Sequence, residues 1–315
     1  MTSSPADLSS SPVVVVTGAN GLVGARVCAL LAERGAQVRA VVRRAGTAPV
    51  LAGVSEHVGD FADPELAAAV VPGADAVVTT VHPMGADRAT QHQVGVVGTS
   101  TLARAARDAG VARLVHVSTC AVYDRRPGVG DVDESSPLVG DDADVYAVTK
   151  RDTDAALAEV EGITRVLVRP PAILGPGETS VWNTLRPADI RDDEQQRRSN
   201  PARAFAWVHL ADLATLIADL ATGRVQEAAD VSAGPVAGGC TAVDVAGEPA
   251  TARDYVGTVV AALGLEAEWD DDLPAWTGQI RTDRARSWGW APAVTLEQAL
   301  AELAGGLGGV ERAGS

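Results

Sequence analysis

Tyr146 and Lys150 form a pair of side chains that could transfer a proton. Four residues make about one helical turn, so on a helix the phenol and the ammonium group would project from the same face. Free tyrosine has a pKa of about 10, and a neighbouring cation lowers it toward the range useful for acid–base catalysis. Because both residue types are common on helix surfaces, the pair alone is a weak signal.

A glycine-rich turn near the N-terminus gives this pair a context. An apolar run at 13–16 precedes the turn, a helical pattern begins at Leu22, and the turn itself carries Thr17, Gly18, Asn20, Gly21 and Gly24. In a dinucleotide-binding turn the glycines permit a tight bend, close approach of a pyrophosphate and close helix–strand packing, while the helix N-terminus faces the anion. The segment therefore predicts a dinucleotide site, with an ordinary strand-to-helix turn as the alternative.

Together the two motifs resemble the short-chain dehydrogenase/reductase superfamily. Further segments resemble its extended branch, the epimerase/dehydratase/reductase group; they lie at 59–61, 117–123, 169–177, 207–213 and 288–292. The resemblance implies that Thr119 hydrogen-bonds the substrate oxygen and that Tyr146 exchanges a proton with it while hydride moves to or from C4 of a nicotinamide. It also implies that Lys150 holds the nicotinamide ribose and keeps the phenol acidic.

The remaining pattern predicts an α/β fold. Strand signals at 13–17, 37–42, 54–58, 75–81, 113–119 and 163–168 alternate with helical patterns, notably at 88–109 and 146–160. This alternation of strands and helices predicts a Rossmann-type doubly wound parallel sheet with a smaller C-terminal substrate-binding lobe. We expect a disordered tail at 1–12, a dinucleotide-binding domain at 13–170 and 206–232, and the lobe at 171–205 and 233–315. Segment 171–206 has little apolar periodicity, which predicts an irregular substrate lid or a mobile surface loop.

Charge at the end of the second strand bears on the choice of cofactor. Arg43 and Arg44 stand where NAD-binding proteins of this fold usually place an acid, and arginine favours the 2′-phosphate of NADP(H); surface decoration is the alternative. We therefore predict NADP, with Asp60 and Phe61 flanking the adenine as the resemblance implies. The other expected cofactor-binding residues are Gly18, Asn20, Gly21, Leu22, Gly24, Thr80, His82, Lys150 and Pro170.

The substrate site is less defined by the sequence. Candidate substrate residues are Cys120, Trp182, Asn183 and Arg203, although Cys120 beside Thr119 also suits a small buried residue. Two departures from the family pattern matter. Gly95 stands where relatives often carry Asn, and Cys120-Ala121 replaces the Asp-Glu pair of nucleotide-sugar 4,6-dehydratases, which argues against that elimination.

Three functions are compatible with these residues. The leading one is an NADPH-dependent ketoreductase, or the reverse alcohol dehydrogenase, acting on a small metabolite or natural-product intermediate. The second is a nucleotide-sugar epimerase with a retained cofactor, which Ala172 in place of a common Asn disfavours. The third is a non-catalytic NADP sensor, which the complete set of Thr119, Tyr146 and Lys150 disfavours.

Composition excludes several other classes. The net charge of −15 argues against nucleic acid as a partner. Three scattered cysteines, no leader pattern and no apolar run of about 20 residues predict a cytoplasmic protein without a membrane span. Histidine spacing predicts no metal site. The family often dimerises through helices at 88–109 and 146–160, so a homodimer acting on a small molecule is a further expectation.

Overall fold

The computed structural model describes residues 11–312, whose elements alternate between strand and helix. The strands are Val13–Thr17 (β1), Gln37–Val42 (β2), Val54–Val58 (β3), Ala76–Thr79 (β4), Arg113–Val117 (β5), Thr164–Arg169 (β6), Ala172–Leu174 (β7), Arg198–Ser199 (β8), Trp207–His209 (β9), Cys240–Asp244 (β10) and Glu268–Trp269 (β11). The α-helices are Leu22–Glu33 (α1), Pro64–Val70 (α2), Arg88–His92 (α3), Thr99–Asp108 (α4), Val145–Ala158 (α5), Arg186–Asp192 (α6), Leu210–Ala221 (α7), Ala252–Ala262 (α8), Asp283–Ser287 (α9) and Leu296–Arg312 (α10).

A parallel central sheet carries the fold. Across residues 11–312 it has seven strands in the order β10-β6-β5-β4-β1-β2-β3. Apolar side chains on one face pack with α1 and α7, and those on the other face pack with α2, α4 and α5. The valines of β1 at 14–16 are completely buried, as expected for a strand covered on both sides. The predicted doubly wound Rossmann-type sheet is confirmed, and each of the six predicted strands is present.

The seventh strand corrects the predicted domain boundary. Residues 240–244, which we assigned to the C-terminal lobe, form β10 and pair with β6 at the edge of the central sheet. Trp288 and Trp290 also join the core that includes α1 and α7. The boundary at 233 is therefore wrong for these segments, because the chain leaves the sheet for a long excursion and returns to it.

The prediction that 171–206 is irregular is also wrong, because this segment is largely structured. It contains β7, a π-helical turn at Val181–Leu185, α6 and the short strand β8. Strand β7 pairs in parallel with β9, and Ile190 on α6 is fully buried against α8. Short elements of two to seven residues show too little periodicity to be predicted from the sequence.

The described residues begin within the predicted tail. Residues 1–10 of that tail lie outside the described part of the chain. Pro12, which we also placed in the tail, accepts a hydrogen bond from the Gln37 N–H at 2.8 Å and so extends the contact between β1 and β2. Throughout residues 11–312, no helix combines the length and apolar character needed to cross a membrane.

Candidate active site

One cleft of about 1310 Å³ runs across the carboxyl ends of the central strands. It opens where the strand order reverses between β1 and β4, the position at which doubly wound sheets bind ligands. The cleft is lined by every residue predicted to bind the cofactor: Gly18, Asn20, Gly21, Leu22, Gly24, Arg43, Arg44, Asp60, Phe61, Thr80, His82, Lys150 and Pro170. The three predicted catalytic residues, Thr119, Tyr146 and Lys150, line it as well.

The glycine turn has the shape that a pyrophosphate requires. Gly18 has a φ of 67°, and a Cβ there would lie 2.7 Å from the Thr80 hydroxyl. A Cβ at Gly24 would lie 2.1 Å from the Gly18 carbonyl oxygen, so only glycine lets α1 approach the turn this closely. The first turn of α1 has neither a side-chain cap nor an acidic residue, which leaves its backbone N–H groups available for an anion. These residues fit a dinucleotide.

The loop that follows β2 is held in place by one carboxylate. Glu56 on β3 accepts hydrogen bonds from the N–H groups of Gly46, Thr47 and Ala48 at 2.9–3.1 Å. These bonds lower the pKa of Glu56 and order the segment that presents Arg43 and Arg44. Both arginines are exposed, and within residues 11–312 neither has an ion-pair partner. The loop therefore offers two cations to a bound group.

Local hydrogen bonds position the three predicted catalytic residues. Thr119 follows β5, and its hydroxyl accepts the Ala121 N–H at 3.1 Å. Asp144 caps α5 by accepting the Tyr146 N–H at 2.8 Å, which places Tyr146 in the first turn. One turn later the Lys150 ammonium donates to the Val117 carbonyl at 2.8 Å, at the end of β5. The spacing predicted from the sequence thus brings the phenol and the ammonium onto the wall of one cleft.

Burial shifts the pKa values of Tyr146 and Lys150 in opposite directions. It raises the pKa of Tyr146, and the neighbouring Thr119 hydroxyl opposes that rise. We expected the pKa of Tyr146 to lie below the ordinary value of tyrosine, and burial instead raises it. Burial lowers the pKa of Lys150 itself to about 8, partly offset by the Asp154 carboxylate one turn further along α5.

His82 packs against Tyr146 rather than acting as a charged group. The two rings meet edge to face with centroids 4.8 Å apart. The Gln91 side-chain nitrogen donates to the Ala86 carbonyl at 2.7 Å, which orients the Gln91 side-chain oxygen toward His82. That oxygen accepts a hydrogen bond from His82 Nε2–H at 3.0 Å. Burial and the Lys150 charge lower the pKa of His82 to about 4. His82 is therefore neutral at physiological pH and restricts the phenol's orientation.

Away from the glycine turn, the cleft is lined by several apolar side chains, among them Ile173, Val181 and Phe205. Trp182 and Arg203 line it, as we predicted for substrate residues. The Trp182 ring contacts the Phe205 and Tyr255 rings edge to face, at centroid distances of 5.3 and 5.5 Å, and the Tyr255 hydroxyl donates to the Trp182 carbonyl at 2.7 Å. This cluster joins the structured 171–205 segment to α8.

Two predicted substrate residues do not line the cleft. Cys120 is completely buried, and its thiol donates to the Arg169 carbonyl at 3.0 Å. Burial also raises the pKa of this thiol, which makes it a poor nucleophile. The Asn183 side-chain oxygen accepts the Gly175 N–H at 2.8 Å, so Asn183 fixes the turn after β7 instead.

Sequence reasoning missed a buried polar network beneath the site. Arg169 forms an ion pair with Asp154 at 3.0 Å and donates to the Tyr123 hydroxyl at 2.8 Å. Tyr123 in turn donates to Asp244 on β10 at 2.8 Å. The signal available in the sequence was an arginine ending the apolar run of β6. Its partners are separated from it by 15 to 46 residues, so no local pattern links them.

Sequence reasoning also missed Arg125 and Trp276, which line the substrate end of the cleft. The Arg125 guanidinium lies 5.3 Å from the centre of the Trp276 ring. Among the residues that the structure describes, no group of three or more His, Cys, Asp or Glu side chains could hold a metal ion.

Comparison with known proteins identifies the family. The model of the NAD-dependent epimerase/dehydratase family matches residues 14–228. A ketoreductase from Stigmatella aurantiaca is 31% identical over 80% of this chain and 74% of its own length. The chain belongs to the NAD-dependent epimerase/dehydratase family.

Other similar proteins carry names that describe different activities. The 2-alkyl-3-oxoalkanoate reductase of Stenotrophomonas maltophilia is 34% identical over 52% of each chain, so the match spans about half of that protein's length. The NAD⁺ complex of Bordetella bronchiseptica WbmH has a TM-score of 0.74 at 21% identity, covering 92% of this chain and 96% of that one. The dTDP-glucose 4,6-dehydratase DesIV of Streptomyces venezuelae also has a TM-score of 0.74, at 23% identity over 93% and 96%. At these identities the structural matches establish the fold alone.

Proposed function

We propose that this protein is an NADP(H)-dependent oxidoreductase that reduces a carbonyl group of a small, largely apolar molecule. The observation that carries the proposal is one continuous cleft. Thr119, Tyr146 and Lys150 line its middle, the glycine turn and two arginines line one end, and an aromatic wall lines the other. This arrangement suits hydride transfer between a bound dinucleotide and a substrate held beside Tyr146.

The chain's own residues account for the proton transfer. Thr119 and Tyr146 would both donate hydrogen bonds to the substrate oxygen, and Tyr146 would release its proton to it. The Lys150 ammonium would stabilise the phenolate that remains, while His82 restricts the ring. The nicotinamide, when bound, supplies the hydride. Residues of the glycine turn would hold its pyrophosphate, and Lys150 would hold the adjoining ribose.

Arg43 and Arg44 support NADP(H) rather than NAD(H). They are exposed in the cleft at the end of β2, on a loop ordered by Glu56, where a 2′-phosphate would be neutralised. Several solved structures of similar fold hold NAD, among them WbmH and DesIV, so we expect cofactor preference to differ within this architecture. The names of the two relatives described above, a reductase and a ketoreductase, support the reductive reaction.

Substitution of the arginines tests the cofactor preference. Arg43→Ala and Arg44→Ala should each raise the KM for NADPH by roughly tenfold, since each removes a charge-assisted hydrogen bond, and should leave the KM for NADH unchanged. Arg88→Ala, which removes a cation that does not line the cleft, is the control. Equal use of NADH and NADPH by the unaltered protein would contradict the preference.

The same assay separates reduction from epimerisation. NADPH oxidation is followed with a panel of carbonyl compounds, and in parallel the protein is incubated with UDP- and dTDP-sugars. A nucleotide-sugar epimerase would convert the sugar with no net change in the dinucleotide. That outcome, without carbonyl reduction, would replace the proposed function.

A further inference from the structure

One arginine in the cleft is held by an aromatic ring and not by an acid. Arg125 is half-buried and lines the cleft on the loop that follows β5. The acid beside it in the sequence, Asp124, is paired with the exposed Arg126 at 2.6 Å. Within residues 11–312 the Arg125 guanidinium forms neither an ion pair nor a hydrogen bond, so its position depends on an apolar neighbour.

That neighbour is Trp276, which also lines the cleft. The Arg125 guanidinium lies 5.3 Å from the centre of the indole ring, within the range of a cation–π contact. The indole N–H donates to the Gly130 carbonyl at 2.9 Å, and a Cβ at Gly278 would lie only 2.8 Å from that nitrogen. Because the ring is also only 7% exposed, Trp276 is a fixed support on which Arg125 rests.

Two other arginines contact aromatic rings, and both pairs lie outside the cleft. Arg169 lies over Tyr123 at 5.1 Å within the buried polar network. The exposed Arg253 lies over Trp269 at 4.9 Å. None of these four residues lines the cleft, so among the described residues only the first pair can present its guanidinium to a ligand there.

The surroundings of this pair are stiff and apolar. Pro127 and Pro274 line the cleft beside Arg125 and Trp276 in the sequence. Proline and a clamped indole have little side-chain freedom to lose when a ligand binds. Such a wall favours a rigid ligand of matching shape over a flexible chain that must be ordered on binding.

The pair also lies near the residues proposed to react. Burial raises the pKa of the Cys120 thiol, and the positive charge of Arg125 opposes that rise, so the guanidinium lies near the turn that follows Thr119. A ring carried next to the reacting carbonyl would therefore come within reach of Arg125.

A guanidinium that rests on an indole has its second face free for another flat group. The faces of a guanidinium are weakly hydrated and attract the π surface of an aromatic ring. We propose that Arg125, supported from behind by Trp276, stacks on an aromatic ring of the substrate. The proposal rests on the proposed function for the reacting carbonyl and adds the substrate's chemical class, a carbonyl compound with a rigid aromatic ring. Arg125 would thus set specificity, whereas Thr119 and Tyr146 carry out the proton transfer.

Matched ketones and matched variants test this proposal. With NADPH, the KM is measured for 2-tetralone, 2-decalone and 2-decanone, which share a carbon count and differ as an aromatic bicycle, a saturated bicycle and a chain. The variants are Arg125→Met, which keeps an apolar contact with the indole without the charge, and Arg125→Lys, which keeps the charge without the flat face. The controls are Arg126→Met at the neighbouring exposed arginine and Arg253→Met at the stacked arginine outside the cleft.

We expect the unaltered protein to show a KM for 2-tetralone about five- to tenfold below that for 2-decalone, with 2-decanone the weakest of the three. Arg125→Met should abolish the difference between the two bicycles by raising the KM for 2-tetralone alone. Arg125→Lys should restore only part of it, and both controls should keep it. Equal KM values for the two bicycles in the unaltered protein, or equal losses on both in Arg125→Met, would overturn the proposal while leaving the reductase function intact. Because each comparison is a ratio measured on one variant, partial loss of folded protein does not affect it.

A binding measurement separates this proposal from the proposed reaction. Tetrahydronaphthalene-2-carboxamide, its decahydro analogue and tetrahydronaphthalene-2-carboxylate are titrated into the NADP⁺-saturated protein by calorimetry. Tighter binding of the aromatic amide than of the decahydro amide, lost in Arg125→Met, supports the ring site even if no ketone is reduced. Equal Kd values for the two amides, or binding of the carboxylate that is tighter than that of its amide and depends on Arg125, would overturn it, because the guanidinium would then not serve an aromatic ring.

Discussion

At the scale of single residues, spacing determined which side chains meet and burial determined their protonation. The four-residue interval between Tyr146 and Lys150 does place both on one side of α5. Their acidities follow from the surroundings, since burial raises the pKa of Tyr146 and lowers that of Lys150 to about 8. The interval in the sequence contains no information about that desolvation.

Tyr146→Phe isolates the proton donor. Removal of one hydroxyl should lower kcat by about a thousandfold or more, while the Kd for NADPH, measured by fluorescence titration, stays within about twofold. Tyr255→Phe is a control, because that hydroxyl bonds the Trp182 carbonyl and should affect substrate KM or stability instead. Unchanged turnover in Tyr146→Phe would remove this residue from the mechanism.

The pH dependence of reduction should report the charge on Lys150. Below pH 8 the ammonium is charged and can stabilise a phenolate, and above it the charge is lost, so kcat/KM should fall as the pH rises through about 8. The Asp154 carboxylate raises this pKa, so Asp154→Asn should move the fall to lower pH. Asp152→Asn, on the same helix but paired with the surface residue Arg151, should leave the profile in place. If Asp154→Asn left the pH profile unchanged, the fall in kcat/KM would not be due to deprotonation of Lys150.

At the scale of elements, the structure of the predicted helix at 88–109 differs from the one continuous helix that the sequence indicates. The sequence predicts one helix, and the structure has a π-helical segment, Gln93–Gly98, between α3 and α4. Two glycines allow this segment to approach its neighbours. A Cβ at Gly95 would lie 3.3 Å from both Thr149 and Thr153 on α5, and a Cβ at Gly98 would lie 2.8 Å from Ala62 and 3.3 Å from the Phe61 ring. The absence of a side chain at Gly95 thus allows close packing against α5.

Gly98→Ala tests the coupling between this segment and the dinucleotide end of the cleft. The added methyl group should displace Phe61, which lines the cleft, and raise the KM for NADPH several-fold with little change in substrate KM. Gly305→Ala on α10 is the matched control, since its Cβ would meet nothing within 4 Å and alanine favours a helix. The KM values for NADPH and substrate are measured by steady-state kinetics on both variants. Unaltered KM values in Gly98→Ala would show that the position of Phe61 does not depend on close packing at Gly98.

At the scale of the whole molecule, the buried polar network joins the edge strand β10 to helix α5. Asp244, Tyr123, Arg169 and Asp154 link β10, the turn after β5, β6 and α5 in succession. Burial, and then the nearby Glu134 carboxylate, raise the pKa of Asp244 from 3.8 to about 8. Because the folded chain holds a proton that the unfolded chain has released, Asp244 contributes most stability below pH 3.8 and loses that contribution as the pH rises toward 8.

Asp244→Asn should therefore raise the free energy of unfolding at pH 8 by a few kcal/mol relative to the unaltered protein, with little difference at pH 4. Urea unfolding across this range measures the effect. Glu134→Gln removes the neighbouring negative charge and should reduce the pH dependence without abolishing it. Parallel stability curves for Asp244→Asn and the unaltered protein would mean that Asp244 titrates normally.

The sequence by itself predicted the first six strands along the chain, the glycine turn, and the set of residues around Tyr146 and Lys150 that line one cleft. Each of these depends on residue type at short spacing: β-branched runs, glycines between a strand and a helix, and one helical turn between Tyr146 and Lys150. Only the tertiary structure decided that β10 returns to the sheet, that Cys120 and Asn183 do not line the cleft, and that Arg125 stacks on Trp276. These relations join residues far apart in the chain, and they arise from packing and desolvation, which no short stretch of sequence encodes.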